Sequence, residues 1–331
     1  MYRDELKELI HNINKTITCN NGSLVLSNYN LDNEKIINIV KDIKYPHLVT
    51  SLNLNGNEIT SKGIYEIARV LSSLKALNLS GNKIEDNGVE FITLYLKDLE
   101  CLTLSSCGIT EEGAKDISKK LVKLKYLDLE GNDIGIEGVE AIARGLKKVD
   151  SLKLSHNGAL KNQMELSYGE TIVNAIQLLP KSLKTLGFSG YPNYGMEKVV
   201  VRCIAYYLPN LERLDFSGNA IGDECLIHIS GLTYLKSLDI SNNGITDKGV
   251  EYISSRMKNL VSLNLSNNGI TNKGVEYISS KPNNLVTLKL YGNKIEELKI
   301  IDEDAHLHLG KLRSLDISGY KISDRLAYVI G

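Results

Sequence analysis

Aliphatic residues return along this chain at fixed intervals. From Leu74 the order Leu74-x-x-Leu77-x-Leu79-x-x-Asn82-x-Ile84 recurs in one register at Leu99, Leu124, Leu211, Leu235, Leu260 and Leu285, most steps being 25 residues. Looser copies begin at Val49, Val149, Leu183 and Leu312, and a degenerate first copy centres on Leu24 and Leu26. About twelve units therefore tile nearly the whole chain, the mark of a stacked-repeat architecture.

Each unit changes period half-way. Leu77-x-Leu79 alternates as a strand does when one face is buried, whereas Ile64-x-x-Ile67-Ala68-x-x-Leu71 has the spacing of one helix face. The unit is predicted to run strand, turn, helix, turn. Thr60, Thr110, Thr246 and Thr271 stand where a hydroxyl can cap the helix. Gly63, Gly88, Gly113, Gly138, Gly249 and Gly274 recur just inside it, where a Cβ would crowd the adjacent coil. Asn57, Asn82, Asn132, Asn157, Asn219, Asn243, Asn268 and Asn293 fall where the chain leaves the strand. An amide there can both donate and accept, so a column of them can satisfy buried turns. Cys107 holds that position in its own repeat, as a small buried substitute.

One such unit cannot bury its apolar faces alone. Stacking predicts an α/β solenoid of horseshoe form, with a parallel sheet on the concave face and helices on the convex face. The expected organisation is one domain over 1–331: a cap helix in 1–22, repeats over 23–322, and a short C-terminal helix in 323–331. Leu6, Leu9, Ile10 and Ile13 form the stripe that covers the first coil, and Leu326, Val329 and Ile330 supply a thin cap at the other end, where copies of the chain could pair. A longer unit with extra residues from Gly158 to Tyr168, followed by Tyr191 and Pro192 in place of Asn, should interrupt the column. Tyr29 and Tyr320 take the Asn position in the first and last copies.

These residues resemble the leucine-rich-repeat family, in its ribonuclease-inhibitor-like class. Leu77-Asn78-Leu79-Ser80-Gly81-Asn82 and Gly244-Ile245-Thr246-Asp247-Lys248-Gly249-Val250 are similar to repeats in effector proteins that intracellular bacteria such as Legionella deliver into host cells. That resemblance implies a virulence-related module that binds a host protein in the host cytosol. The Ran GTPase activators share the architecture, which implies a GTPase-regulatory alternative with Arg213 as its candidate arginine.

Composition narrows these readings. Apolar residues at 42% and charged residues at 24% fit a folded, water-soluble protein. A net charge of −1 gives no overall field toward nucleic acid or an anionic membrane. Five scattered cysteines without a C-x-x-C pair predict no disulfide framework and no zinc site, and fit a reducing compartment. The start of the chain lacks the apolar run of a Sec signal peptide, so the expected location is cytoplasmic, or the host cytosol by another export route. No membrane span, cofactor or metal is expected, and the chain is expected to be a monomer unless copies pair at the thinly capped C-terminal end. Asp302, Asp304, His306 and His308 cluster in sequence without the spacing of a familiar metal site. No nucleotide-binding, zinc-protease or serine-hydrolase motif occurs, and no cysteine is followed two residues later by Asp, as in the ubiquitin ligases of some bacterial repeat effectors. The chain is not expected to be an enzyme.

Binding residues follow from strand alternation, because the residues between buried leucines must face the concave surface. Most are Asn or Ser, which anchor partners poorly, whereas Tyr and Arg are frequent hot spots. The candidates for protein binding are Tyr126, Asp128 and Glu130 with Lys153, then Arg213, Asp215 and Asp239, then Lys289 with Tyr291.

Overall fold

The computed structural model describes residues 3–19, 22–157, 168–190, 198–281, 283–296 and 310–320. The chain divides into two compact units, Met1–Gln163 with Leu178–Pro180, and Met164–Gln177 with Lys181–Gly331. The expected C-terminal helix, the insertion, the Tyr191-Pro192 departure and the Asp302–His308 cluster lie outside the described residues.

In the first unit a cap helix, α1 (Arg3–Cys19), precedes five strand–helix repeats and a sixth strand. The strands are β1 (Ser23–Val25), β2 (Ser51–Asn53), β3 (Ala76–Asn78), β4 (Cys101–Thr103), β5 (Tyr126–Asp128) and β6 (Ser151–Lys153). The helices between them are α2 (Asn33–Lys41), α3 (Ser61–Val70), α4 (Glu85–Tyr95), α5 (Glu111–Lys120) and α6 (Gly135–Gly145). Strands pair in parallel and in sequence order, with Leu52, Leu77, Leu102, Leu127 and Leu152 side by side. In α1 Ile13 of the predicted stripe and Ile17 outside it are buried, while Leu6, Leu9 and Ile10 are half-buried.

The second unit repeats the scheme. Its helices are α7 (Tyr168–Leu178, all but its last residue), α8 (Lys198–Tyr207), α9 (Gly222–Ile229), α10 (Asp247–Arg256) and α11 (Asn272–Ser279). Its strands are β7 (Thr185–Gly187), β8 (Arg213–Asp215), β9 (Ser237–Asp239), β10 (Ser262–Asn264), β11 (Thr287–Lys289) and β12 (Ser314–Asp316), parallel and in order. Phe188 and Phe216 replace the third leucine of the motif, the position of Leu79, and their rings stack with centroids 6.4 Å apart.

The repeated leucines are the core of both units. Leu77, Leu79, Ile84, Val89, Ile92 and Leu96 of one repeat are each excluded from solvent. Each such side chain contributes roughly 1.5–3 kcal/mol of burial free energy. Because a single coil has two open sides, that burial exists only in the stack.

Two polar ladders fix the register. Asn132 shows the first: its Nδ2 donates to the carbonyls of Leu104 (2.8 Å) and Leu129 (2.9 Å), and its Oδ1 accepts from the amides of Cys107 and Ile109, both at 3.0 Å. One side chain thus ties its own turn to the turn before it. Cys107 keeps the donor role, its thiol directed at the carbonyl of Leu79 at 3.2 Å. Burial pushes that thiol up to about 11, which makes it an inert neutral donor rather than a nucleophile. Tyr320 substitutes differently: its hydroxyl donates to the Leu290 carbonyl (2.8 Å) and accepts from the Asn293 amide.

The second ladder runs through the helix starts. Thr60, Thr110, Thr246 and Thr271 are N-caps as expected. Each is also gripped by a residue of the preceding repeat. Asp223 Oδ1 accepts from the amides of Thr246 (2.8 Å) and Gly249 (3.1 Å), while its Oδ2 accepts from the Thr246 hydroxyl (2.6 Å). Asp86 and Asp247 hold Thr110 and Thr271 in the same way, and Asn33 holds Thr60. This supplies the reason for glycine: a Cβ on Gly249 would lie 2.5 Å from Asp223 Oδ1, and one on Gly113 would lie 2.3 Å from Asp86 Oδ1.

Candidate functional site

The sheet face is built from the side chains between the inward leucines. In the first unit they include Asn53, Asn78, Thr103, Asp128 and Lys153; in the second, Asp215, Asp239, Asn264, Lys289 and Asp316. Asn and Asp dominate for a local reason invisible in the leucine pattern. Asn78 Oδ1 accepts from the amide of Ser80 (3.0 Å), Asp128 Oδ1 from that of Glu130 (3.1 Å), and Asp239 Oδ1 from that of Ser241 (3.0 Å). Each closes an Asx turn that ends its strand. One oxygen therefore serves the backbone, and what the rest of the side chain does depends on its neighbours.

On β5 and β6 the neighbours converge. Lys153 Nζ lies 3.2 Å from Asp128 Oδ2 and 6.0 Å from the centre of the Tyr126 ring, whose hydroxyl is 3.3 Å from the same carboxylate oxygen. Asp128 lies on the predicted face, yet only 5% of it is exposed, because the aromatic ring and the lysine stem cover it. Burial, with the Asp128 charge behind it, pushes the Tyr126 phenol above its ordinary range. For Lys153 burial opposes the charge, but Asp128 and Tyr126 outweigh it and raise the ammonium pKa. Both shifts keep the phenol neutral and the ammonium charged at neutral pH, and the two are held on Asp128 before any partner arrives. Tyr126 and Glu130 remain half-exposed at its rim.

The second candidate group is more open. Asp215 and Asp239 are half-buried, each accepting from a serine hydroxyl, Ser217 at 2.9 Å and Ser241 at 2.7 Å. Asp239 Oδ2 also accepts from Asn264 Nδ2 at 2.7 Å. Arg213 is exposed on the adjacent strand position. In the third group Lys289 and Tyr291 are both exposed. The nine predicted residues thus fall into three clusters on sheet faces, and the first is the one whose members contact each other most. Asn264 was not among them; its Asn-x-Ser turn beside Asp239 was the available signal.

Nothing in these clusters resembles a reaction centre. Among the described residues, no group of His, Cys, Asp and Glu is placed to hold a metal ion, and Cys101, Cys107, Cys203 and Cys225 are free thiols. No described helix is long and apolar enough to cross a membrane.

The family profile described as Leucine Rich repeat matches residues 45–68, 70–92, 95–118, 120–143, 207–230, 231–254 and 256–279, which together make up half of the chain. The chain belongs to the leucine-rich-repeat family. Among solved structures, an internalin (inlF) from Listeria monocytogenes is similar, with a TM-score of 0.55 and 22% identity over 94% of this chain and 95% of that one. The likeness shows the leucine-rich-repeat solenoid fold. No curated protein matches the chain in sequence. Leucine-rich repeats are protein-interaction scaffolds, and each unit of this chain offers an ordered sheet surface of that kind.

Proposed function

We propose that this leucine-rich-repeat protein binds a protein partner through its sheet face, with Tyr126 as the principal anchor. The observation that carries this reading is that Tyr126 is a half-exposed aromatic already fixed by Lys153 and Asp128. A fixed aromatic loses little conformational freedom on association, and Tyr is among the residues that concentrate binding energy. Glu130 extends the same patch. Arg213, Asp215 and Asp239, and then Lys289 with Tyr291, offer further polar contacts.

The partner proposed is a host protein, met in the host cytosol after export by a bacterium. The similarity of the Leu77–Asn82 and Gly244–Val250 segments to effector repeats supports this finer reading. The test is affinity capture from host-cell lysate on the immobilised protein, comparing the parent with Tyr126→Ala. Loss of one captured protein, with an unchanged circular-dichroism spectrum and melting temperature, is the expected result. Equal capture by Tyr126→Ala and by variants of Arg213 and Tyr291 would remove the sheet face from consideration. Arg213, exposed beside Asp215, is the feature that favours a GTPase-regulatory role; acceleration of hydrolysis by a captured GTPase, lost in Arg213→Ala, would establish it.

A further inference from the structure

The net charge of −1 conceals a segregation that the repeat register creates. Parallel pairing in a constant register sets equivalent residues of successive coils in rows. In the first unit, the edge where helices end and strands begin comprises residues 41–48, 69–75, 94–100, 119–125 and 144–150. It holds twelve Lys and Arg against four Asp and Glu. The opposite edge, residues 28–35, 55–62, 80–87, 105–112 and 130–137, holds ten acids against three bases. The net charge suggests no field toward an anionic surface only because the two edges cancel in the sum.

Cations at helix C-termini and acids at N-termini complement the helix dipole, which accounts for Arg69, Lys119, Lys120 and Arg144. It does not account for Lys97, Lys123, Lys125 or Lys148, which lie beyond the helices. Nor does it account for the exposed apolar residues interleaved with the cations: Tyr45, Leu48, Leu94 at 53% exposure and Val122 at 51%. Acidic residues on this edge already serve several cations at once, Asp98 bridging Lys75 and Lys123, so a net positive charge remains after pairing.

The second unit, taken by itself, shows the same edge chemistry. Tyr206, at 76% exposure, and Tyr234, at 63%, stand there with Val261 near Lys236, Arg256 and Lys258. Tyrosine and lysine at an apolar–aqueous boundary are the usual residues of a membrane interface.

We infer that the helix-end edge docks on the surface of an anionic lipid bilayer, with Lys and Arg at the headgroups and Leu48, Leu94 and Val122 reaching the acyl boundary. The aliphatic members decide between polyanions. A nucleic acid would be met by the cations but gives Leu94 and Val122 nothing to stack on, whereas a bilayer rewards both kinds of side chain. This surface is separate from the sheet face proposed for protein binding.

The experiment is co-sedimentation of the intact protein with vesicles of phosphatidylcholine alone or mixed with phosphatidylserine. Binding is expected only to the mixed vesicles and should weaken as salt rises. The exposed pair Lys97→Gln with Lys119→Gln should weaken it about thirtyfold, and Leu94→Ser with Val122→Ser about tenfold, without a change in melting temperature. Tyr126→Ala should bind vesicles as the parent does, which separates this inference from the protein-binding reading. Absence of binding, equal binding to neutral vesicles, or unchanged binding by both edge variants would overturn it. So would edge-dependent binding to single-stranded RNA with none to vesicles, which would assign the edge to nucleic acid.

Discussion

The sheet-face patch at β5–β6 and the run at β8–β10 start from the same repeat position and reach different states. Asp128, Asp215 and Asp239 each give one oxygen to the amide two residues on. Around Asp128, Tyr126 and Lys153 close over the second oxygen. Around Asp215 and Asp239, small serines and Asn264 leave the carboxylates half-open. The repeat position therefore sets the backbone task of a residue, and the side chains one strand away set what is left for a partner. A closed, neutralised patch presents a shaped aromatic; an open acidic run presents charge to whatever cation approaches.

Substitutions beneath both regions should have the largest effects and should not distinguish them. Leu127→Ala and Leu238→Ala each remove a buried side chain from the stack and should cost about 2–5 kcal/mol in denaturant unfolding. A marked inequality would mean that the two cores are packed differently. Asn132→Ala and Asn243→Ala follow, at about 1–3 kcal/mol, because each leaves buried backbone groups of two turns without partners.

Cys107 gives a pH-dependent counterpart in the same column. Its folded-state pKa is raised to about 11 from an ordinary 9.0, so the thiol must stay protonated in the fold. The stabilisation is complete below pH 9 and is lost as pH rises toward 11, a change of about 2 kcal/mol. Melting temperatures across that range should fall more steeply for the parent than for Cys107→Asn. Thiol reagents should modify half-exposed Cys101 and Cys203 in the folded protein while sparing Cys107.

The smallest effects address the comparison most directly. Asp128→Asn keeps the turn but breaks the pair with Lys153, which is 40% exposed, and should cost about 1 kcal/mol or less. Asp239→Asn should change stability less still. If the two prove equal in thermal melts, the closure over Asp128 contributes nothing beyond its turn. Tyr126→Ala should also stay within about 1 kcal/mol of the parent, its effect appearing in binding instead.

The leucine spacing made the strands, the helix faces and the inward residues legible because each follows from period alone. The threonine caps and the asparagine column were legible as well, since their chemistry is local and repeats. The grip of Asp86, Asp223 and Asp247 on the next helix start was not. It joins residues 23–26 positions apart, so only the stack reveals that Gly113, Gly249 and Gly274 make room for a carboxylate of the preceding repeat. The candidate face was readable from alternation, but the covering of Asp128 was not, because it depends on Lys153, which the strand pairing sets directly opposite it, and on how the Tyr126 ring turns over both. Charge segregation stayed hidden for the same reason: it belongs to edges, and edges exist only once the coils are in register.

What the sequence determined by itself was the coil: about twelve copies of a repeat unit whose apolar residues need neighbours to be buried. What the tertiary structure alone decided was company. Stacking placed Lys153 against Asp128, Asp223 against Thr246, and lysines beside Leu94 and Val122 along one edge. Side chains separated by a whole repeat interact only through space, and that space is set by the pairing of one coil with the next.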